Sequence, residues 1–340
     1  MSTDLWLRRL SAAFQEGGRT MNSIFDIITL NVLASAIRLA TPVILAALAA
    51  AICNKAGVLN LGIDGFITIC AFAGIVGAYI FRNFTPIGIA HPVFATYMGV
   101  VCAMLVGALL GLLFAFLKDS YGVDLTVLSI AMNMLAVEIT VYLMRTIFHQ
   151  SGTWSDPSIV QLPSIRLTLI EKIPVLGGLL SGYNIIVYFT WILALVLVFV
   201  MHKTKYGRYI TAVGENLEAA KSVGINVSKV RYGALIFSGI LSGLAGSFLS
   251  IGHLTLFTRD MASGRGWLGN AAALFGFNNP GGSFFAGLFF GFADALALRL
   301  QNVTKIPPYI IQVMPYVLTL VILSIVSYQS IKKKRKRSIY

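Results

Sequence analysis

Most of this chain consists of apolar runs that are each about as long as a membrane-crossing helix. Such a helix needs about 20 apolar residues to span the hydrocarbon core of a bilayer. Hydrophobic residues make up 57% of the 340 residues and charged residues only 11%, against about 25% charged residues in soluble domains. We predict an all-α, polytopic integral membrane helix bundle of about 8 to 10 membrane segments, two of them broken helices. Complete spans are predicted at residues 36–52, 66–81, 97–117, 125–148, 184–201, 232–252, 283–299 and 309–328.

The positive charge of the chain is concentrated beside the apolar runs and in one tail. The formal net charge is +13, which in a soluble protein would suggest a nucleic acid partner. Here six of the 26 basic residues lie within 332–337, and most others flank apolar runs. Segments of this kind stay on the cytoplasmic side and attract anionic lipid. We therefore predict contact with membrane lipid, no nucleic acid partner, and a cytoplasmic C-terminus.

Residues 202–231 form a polar, basic segment between two strongly apolar runs. Their Lys and Arg content predicts a cytoplasmic loop. A short helix is expected inside it, because Asn216 can cap an N-terminus, Glu218 favours a first turn and Gly224 can close a C-terminus.

Residues Leu217, Ala220 and Val223 would share one face of this short helix. A small apolar face presented to the cytoplasm is typical of an element that docks into a groove of a partner. The alternative is a solvated connector that lies on anionic headgroups, and the spacing of these residues does not decide between the two.

The order of the spans predicts a topology when the basic tail is placed inside. Counting backwards from that tail also places the basic loop inside, and it places the proline-containing segment 149–183 outside. Arg38 and Pro42 interrupt the first apolar stretch, so a short interfacial helix is expected before the span 36–52. The N-terminus then falls outside if residues 24–52 cross once. The predicted organisation begins with an N-terminal extension at 1–20, with Met21 as an alternative start. A transmembrane domain follows at 21–330, with an extracellular loop at 149–183 and a cytoplasmic loop at 202–231. A basic tail at 331–340 ends the sequence.

Two membrane segments, one in each half of the chain, are interrupted by glycine and polar residues. They are NKAGVLNLGIDG at 54–65 and MASGRGWLGNAAALFGFNNPGG at 261–282. Irregular backbone at membrane depth survives only where protein buries it or a wet cavity adjoins it. Paired interrupted segments in corresponding halves therefore indicate a transport site. The predicted pathway residues are Asn60, Gly62, Asp64, Gly65, Asn133, Arg265, Trp267 and Asn270.

Several of these residues also have a structural interpretation, but close packing does not explain Asn60 and Asp64. Glycines such as Gly62 and Gly65 permit close packing of helices, and Arg265 with Trp267 could be an interfacial anchor pair. Ionisable or polar groups within a membrane, such as Asp64, call for a functional hypothesis. For Asp294, which lies near Arg299 in the sequence, the structural interpretation is favoured.

Several kinds of chemistry have no signature in the sequence. The cysteines and histidines lack the spacing of a disulfide framework or a metal site. There is no GxxxxGK[ST] phosphate-binding loop and no pairing of a nucleophile with a base. We therefore predict no catalytic residues, no bound metal and no cofactor in this chain. If transport is driven by ATP, then ATP and Mg²⁺ bind to a separate ATPase.

Over residues 36–328 the sequence resembles permease subunits of ABC importers, in the nucleoside-type subgroup related to sugar and branched-chain amino-acid permeases. The resemblance is carried, in this order, by NKAGVLNLGIDG (54–65), AVGENLEAAKSVGINV (212–227), GRGWLGNAAALFG (264–276) and GFADALALRLQ (291–301). One departure is Asp64, where the subgroup usually has Glu.

The resemblance implies that residues 212–227 form the coupling helix that docks on the ATPase, and that the first and third motifs line the translocation path. The implied partners are a second homologous permease, ABC ATPase subunits and an extracellular substrate-binding lipoprotein at a bacterial cytoplasmic membrane. Purine nucleosides are the implied solutes, with riboflavin or a sugar as alternatives. The implied coupling residues are Gly214, Glu215, Asn216, Leu217, Glu218, Ala219, Ala220 and Gly224.

A different mechanism is compatible with the intramembrane carboxylates. An ion-coupled secondary transporter could use Asp64 or Glu138 as a proton relay. Such a protein would transport alone in liposomes and would be indifferent to ATP. A membrane-embedded enzyme or scaffold is disfavoured because the sequence has no clustered His or Cys residues and no paired carboxylates.

Overall fold

The computed structural model describes residues 30–165 and 180–303, together with Val317. The predictions for the 1–20 extension, the span 309–328 and the tail 331–340 lie outside these residues, as does part of the 149–183 loop. The helices are α1 (Leu30–Lys55), α2 (Ile63–Phe84), α3 (Pro86–Ala90), α4 (Pro92–Tyr121), α5 (Leu125–Phe148), α6 (Ile185–Lys203), α7 (Lys205–Glu215), α8 (Leu217–Ser222), α9 (Val227–Ser247), α10 (Arg265–Phe275) and α11 (Pro280–Val303).

Seven of the described helices are long and apolar enough to cross a membrane. They are α1, α2, α4, α5, α6, α11 and α9, the last together with the turn of π-helix at Phe248–His253 that follows it. All seven coincide with predicted spans, and the predicted class of polytopic helical bundle is confirmed. Helix α10 has only 11 residues, too few to cross alone, as predicted for the second broken helix.

Three helices form the centre of the described bundle. In α1 and α9 83% of the most apolar window is buried, and in α2 72%, whereas the other four spans reach only 28–39%. Helix α1 is buried on every side from Ala40 to Cys53, with Thr41 as the polar residue of that stretch, as expected for a helix surrounded by protein. It continues without a break from Leu30 through Arg38 and Pro42. The expected division into a short interfacial helix and a separate span at 36–52 is therefore wrong for the described part.

Helices α4 and α9 cross at two pairs of glycines. A Cβ atom built on Gly239 would lie 2.0 Å from the carbonyl oxygen of Gly107, and one built on Gly107 would lie 2.1 Å from that of Gly239. Gly111 and Gly243, one turn further along each helix, are equally constrained by the opposite backbone. The spacing of four residues on both helices is the small-xxx-small pattern that lets membrane helices approach closely.

Polar segments gather at the two ends of the bundle. At one end, which we call the basic end, Asn54 Nδ2 donates to Asn278 Oδ1 at 2.9 Å and Ser228 donates to Asp119 at 2.6 Å. Helices α7 and α8 lie at this end, because Gly214 packs against the carbonyl group of Lys55.

The opposite end, which we call the loop end, carries short antiparallel strand pairs. Thr153–Trp154 (β1) pairs with Phe257–Thr258 (β4), and Ser164–Ile165 (β2) pairs with Tyr183–Asn184 (β3). The predicted outside loop and the segment before α10 therefore share one end, and the predicted inside segments share the other. Which side of a membrane each end faces stays a prediction.

Candidate translocation and coupling site

The first interrupted segment enters the bundle as non-helical backbone, and side chains form hydrogen bonds with several of its polar groups. Between α1 and α2, the Leu61 N–H donates to Ser129 Oγ at 3.2 Å, and Asn133 Nδ2 donates to the Leu61 carbonyl at 3.0 Å. Asn133 Oδ1 also accepts from the Gly65 N–H at 2.8 Å. Asn133 thus holds both the segment and the first turn of α2 against α5.

Asn60 performs a similar task on the other side of this segment. Its side chain is fully buried, its Oδ1 accepts from the Gly62 N–H at 3.0 Å, and its Nδ2 donates to Ser238 Oγ on α9 at 3.4 Å. The structure therefore brings Asn60, Gly62, Gly65 and Asn133 together around one stretch of backbone. A direct contact of these side chains with a solute remains a prediction.

The two interrupted segments meet at Asp64. The carboxylate Oδ1 accepts from the Gly266 N–H at 2.8 Å, across 202 positions of sequence. Helix α10 begins after Gly264, which offers no side-chain cap, so Asp64 supplies the acceptor that a capping residue would supply. The backbones touch here, because a Cβ atom on Gly266 would lie 2.4 Å from Asp64 Cα. Asp64 is therefore both a candidate pathway residue and the residue whose hydrogen bond joins α2 to α10.

Helix α10 carries the other candidate residues, and their exposure differs. Asn270 is buried, and its Nδ2 donates to the Gly266 carbonyl at 3.3 Å. Its Oδ1 is buried and accepts no hydrogen bond from the described residues. Trp267 is 43% exposed and does not join the cluster around Asn60. The structure thus leaves a free acceptor on Asn270 and an accessible ring on Trp267.

Arg265 lies at the start of α10 among several acidic groups. Its Nη1 donates to the Ala262 carbonyl at 3.3 Å, and it interacts electrostatically with Asp64 and with Asp294 on α11. The described residues contain no ion pair between Asp294 and Arg299, so the sequence proximity of those two is not a contact. Asp64 and Asp294 therefore both act electrostatically on Arg265.

Two adjoining cavities open beside this charged cluster. One, of about 480 Å³, lies at the loop end, and the other, of about 380 Å³, reaches Arg265 and Asp260. Arg38, Phe248 and His253 line both. From the sequence, Arg38 is only an interruption of a span, and His253 has no predicted role. The sequence signal that could have identified Arg38 as a cavity residue is its charge inside an apolar run.

Glu138, the alternative proton relay, is held by an arginine at the loop end. Arg259 Nη2 lies 2.7 Å from Glu138 Oε1. Both side chains are mostly exposed on the surface of the described chain, at 59% and 68%. The arrangement favours the interpretation of Glu138 as part of an ion pair.

The predicted coupling element is a pair of short helices at the basic end. Asn216 separates them and caps α8, its Oδ1 accepting from the Ala219 N–H at 3.0 Å. Gly224 follows α8 with a φ of +80°, a conformation that favours glycine. Both the capping residue and the closing residue are therefore as predicted. Lys221 and Glu218 form an exposed ion pair at 3.2 Å.

The face that α8 presents differs from the expected one. Ala220 is 2% exposed and Leu217 is half-buried, so much of the predicted apolar face packs against the rest of the chain. Val223 is 74% exposed. The surface left open on this element is mainly polar, and its exposed members are Gly214, Glu215, Asn216, Glu218, Ala219, Lys221, Ser222, Val223 and Gly224.

Gly214 fixes the coupling element to the end of α1. A Cβ atom at this position would lie 2.1 Å from the Lys55 carbonyl oxygen and 3.1 Å from the Gly57 nitrogen. The residues that leave α1 and enter the first interrupted segment therefore rest directly on α7. A displacement of α7 has a short mechanical route to Asn60 and Asp64.

Comparison with known proteins decides what kind of protein carries this arrangement. Residues 32–323 match the family described as the permease component of branched-chain amino acid transport systems. The chain belongs to this permease family. It is a multi-pass membrane transport subunit rather than an enzyme, and this assignment favours the permease interpretation over an ion-coupled transporter or a membrane enzyme.

Three relatives indicate the neighbourhood of the permease within its family. It is 34% identical to the guanosine ABC transporter permease protein NupQ of Bacillus subtilis, over 84% of this chain and 88% of that protein. It is 28% identical to the nucleoside ABC transporter permease protein NupC of Lactococcus lactis, over 86% and 91%. A second guanosine permease protein of B. subtilis, NupP, is 26% identical over 87% and 81%.

Proposed function

We propose that this permease is the membrane subunit of an ABC importer that takes up nucleosides. The observation that carries the proposal is the 34% identity to a guanosine permease protein over most of both chains. The buried connection between the two interrupted segments and the exposed pair of helices at the basic end support it. Riboflavin and sugars remain the alternative solutes within the same class.

The proposed assembly has four kinds of component. This chain pairs with a second, homologous permease, as the match to both NupQ and NupP suggests. ATP and Mg²⁺ are bound by separate ATPase subunits, and an extracellular lipoprotein delivers the solute. The basic end and the C-terminus face the cytoplasm, in keeping with the retention of Lys- and Arg-rich loops on that side.

The proposed mechanism transmits motion from the ATPase through α7 and α8. The open polar surface of Glu215 to Gly224 contacts the ATPase, and Gly214 passes its displacement to the end of α1. Because Asp64 joins α2 to α10, both interrupted segments then move together. Solute passes beside these segments, and Arg265, Trp267 and Asn270 are the proposed contact residues of α10.

The coupling role is tested by Glu215→Arg combined with Ala219→Arg. Both positions are exposed, so the substitutions leave the fold of the permease intact. Misplaced like charge at an interface costs several kcal/mol, and we expect nucleoside uptake to fall at least about tenfold. The measurement is uptake by proteoliposomes that contain the whole importer, with ATP hydrolysis followed in the same vesicles; hydrolysis should persist without uptake.

A matched control adds arginines elsewhere at the same end. Ser120→Arg with Tyr121→Arg changes the last two residues of α4, which are both exposed, and should leave uptake within about twofold, because surface substitutions away from special features cost about 0.5 kcal/mol or less. Unchanged uptake in the Glu215/Ala219 variant would contradict the docking role. Uptake by this chain alone, driven by an ion gradient and indifferent to ATP, would overturn the class of transporter.

A further inference from the structure

Arg38 is a charged residue inside a membrane-spanning helix. It lies eight residues into α1, and its hydrogen bond goes to the neighbouring Ser35 Oγ at 3.4 Å. Neither of the ion pairs found among the described residues includes it. Ionisable residues in such positions are costly, face the bundle interior or a wet cavity, and mark solute pathways.

The two cavities near the loop end meet at Arg38. The cavity at the loop end is lined by Gln161, Tyr183 and Asn184 in addition to Arg38 and His253. Its partner cavity continues to Arg265. With volumes of about 480 and 380 Å³, each falls in the range of roughly 300–1,000 Å³ that is usual for small-molecule sites.

Backbone geometry also singles out the meeting point. Helix α9 ends in a turn of π-helix at Phe248–His253, and the first and last residues of that turn line both cavities. The Phe248 ring and the His253 imidazole lie nearly parallel, with 8° between their planes and 6.1 Å between their centroids. Single π-helical turns frequently occur at functional sites, and here the turn places His253 in the lining of both cavities that Arg38 lines.

The other arginines that line these cavities have carboxylates nearby. Arg259 is paired with Glu138, whereas Arg265 forms no ion pair among the described residues but interacts electrostatically with Asp64 and Asp294. No carboxylate of the described residues pairs with Arg38, and its hydrogen bond goes to Ser35. Arg38 therefore offers a planar, always-charged set of donors to whatever enters from the loop end.

We propose that Arg38 is a specificity-determining residue that binds the O6 and N7 acceptors of a 6-oxopurine nucleoside. A guanidinium group pairs with these two atoms in bidentate fashion. A 6-aminopurine presents a donor at position 6, which Arg38 cannot accept. The inference rests on the proposed function, since it names the solute class of the nucleoside importer, and it predicts preference for inosine and guanosine over adenosine.

The test compares maximal uptake rates of inosine and adenosine by the reconstituted importer. Both nucleosides are supplied at saturating concentration. The extracellular lipoprotein is then fully loaded with either one, and its own selectivity does not affect the ratio of the rates. A bidentate pair is worth about 1–3 kcal/mol, so Arg38→Gln should lower the inosine rate at least about fivefold without lowering the adenosine rate, since a glutamine amide can pair with the N6 and N7 atoms of adenine. Arg38→Lys should also lose the preference, because a point charge does not reproduce the planar fork.

Two further arms separate this inference from the proposed function. Arg145→Gln changes an exposed arginine of α5 that lines neither cavity and should keep the wild-type ratio of inosine to adenosine. If Arg38→Gln lowers both rates equally, or leaves both unchanged, Arg38 is not a specificity residue although the importer still transports nucleosides. If the wild-type importer takes up neither nucleoside, the proposed function itself fails.

Discussion

Replacing Gly239 with leucine is expected to abolish the accumulation of folded permease in the membrane. A side chain at this position meets the backbone of α4, because even a Cβ atom would lie 2.0 Å from the Gly107 carbonyl oxygen and 2.8 Å from its carbon. No flexible side chain stands between the helices that could move aside. Overpacking of well-packed cores costs about 1–3 kcal/mol when side chains can adjust, and here whole helices must separate.

The measurement is size-exclusion chromatography of a fluorescently tagged permease extracted in mild detergent. Gly233→Leu provides the matched control, since it places the same side chain on the same helix at a glycine whose Cβ would meet nothing within 4 Å. That variant should give a normal monodisperse peak. A normal peak from Gly239→Leu as well would show that α4 and α9 do not pack through their glycines.

Much of this architecture could be predicted from the sequence because a membrane restricts the possible folds. Apolar runs of sufficient length become helices, and the described helices α2 and α5 begin and end within a few residues of the predicted spans. The cap at Asn216 and the left-handed Gly224 could also be predicted, since both depend only on neighbouring residues.

The contacts between distant residues could not be predicted in the same way. The sequence marks Asn60 as costly in a membrane, but its partner Ser238 lies 178 positions away, and serines are too common to be singled out. The burial of Ala220 has the same origin. A helical face can be recognised from spacing, but whether it turns towards a partner or towards its own chain depends on tertiary packing.

Arg38 shows how a correct observation led to a wrong local structure. A charge and a proline within one apolar run suggested a break, but α1 runs through both. Pro42 lies where the helix is surrounded by other segments, and membrane helices tolerate proline when neighbours re-satisfy the freed backbone groups. The charge does not end the helix and instead faces the two cavities near the loop end.

Asp64→Ala is expected to eliminate nucleoside uptake while the permease still assembles. The substitution removes the acceptor of the Gly266 N–H and leaves that group buried without a partner. Loss of a hydrogen bond to a charged group costs about 1.5–3 kcal/mol. This cost is small compared with the packing energy of the whole helix bundle, so the permease still folds. The lost bond, however, is the one that joins α2 to α10. Arg265 loses a neighbouring negative charge in the same step.

Asp64→Asn separates the two roles that the residue could have. Asparagine keeps an oxygen of the same reach for Gly266 but carries no charge, so if Asp64 acts mainly as the pin between the interrupted segments, uptake should recover to within about tenfold of wild type. Uptake and co-purification with the ATPase would be measured for both variants in the same vesicles. Background uptake by Asp64→Asn would show instead that the carboxylate charge is needed in the pathway, and wild-type uptake by Asp64→Ala would show that the two segments move together without this bond.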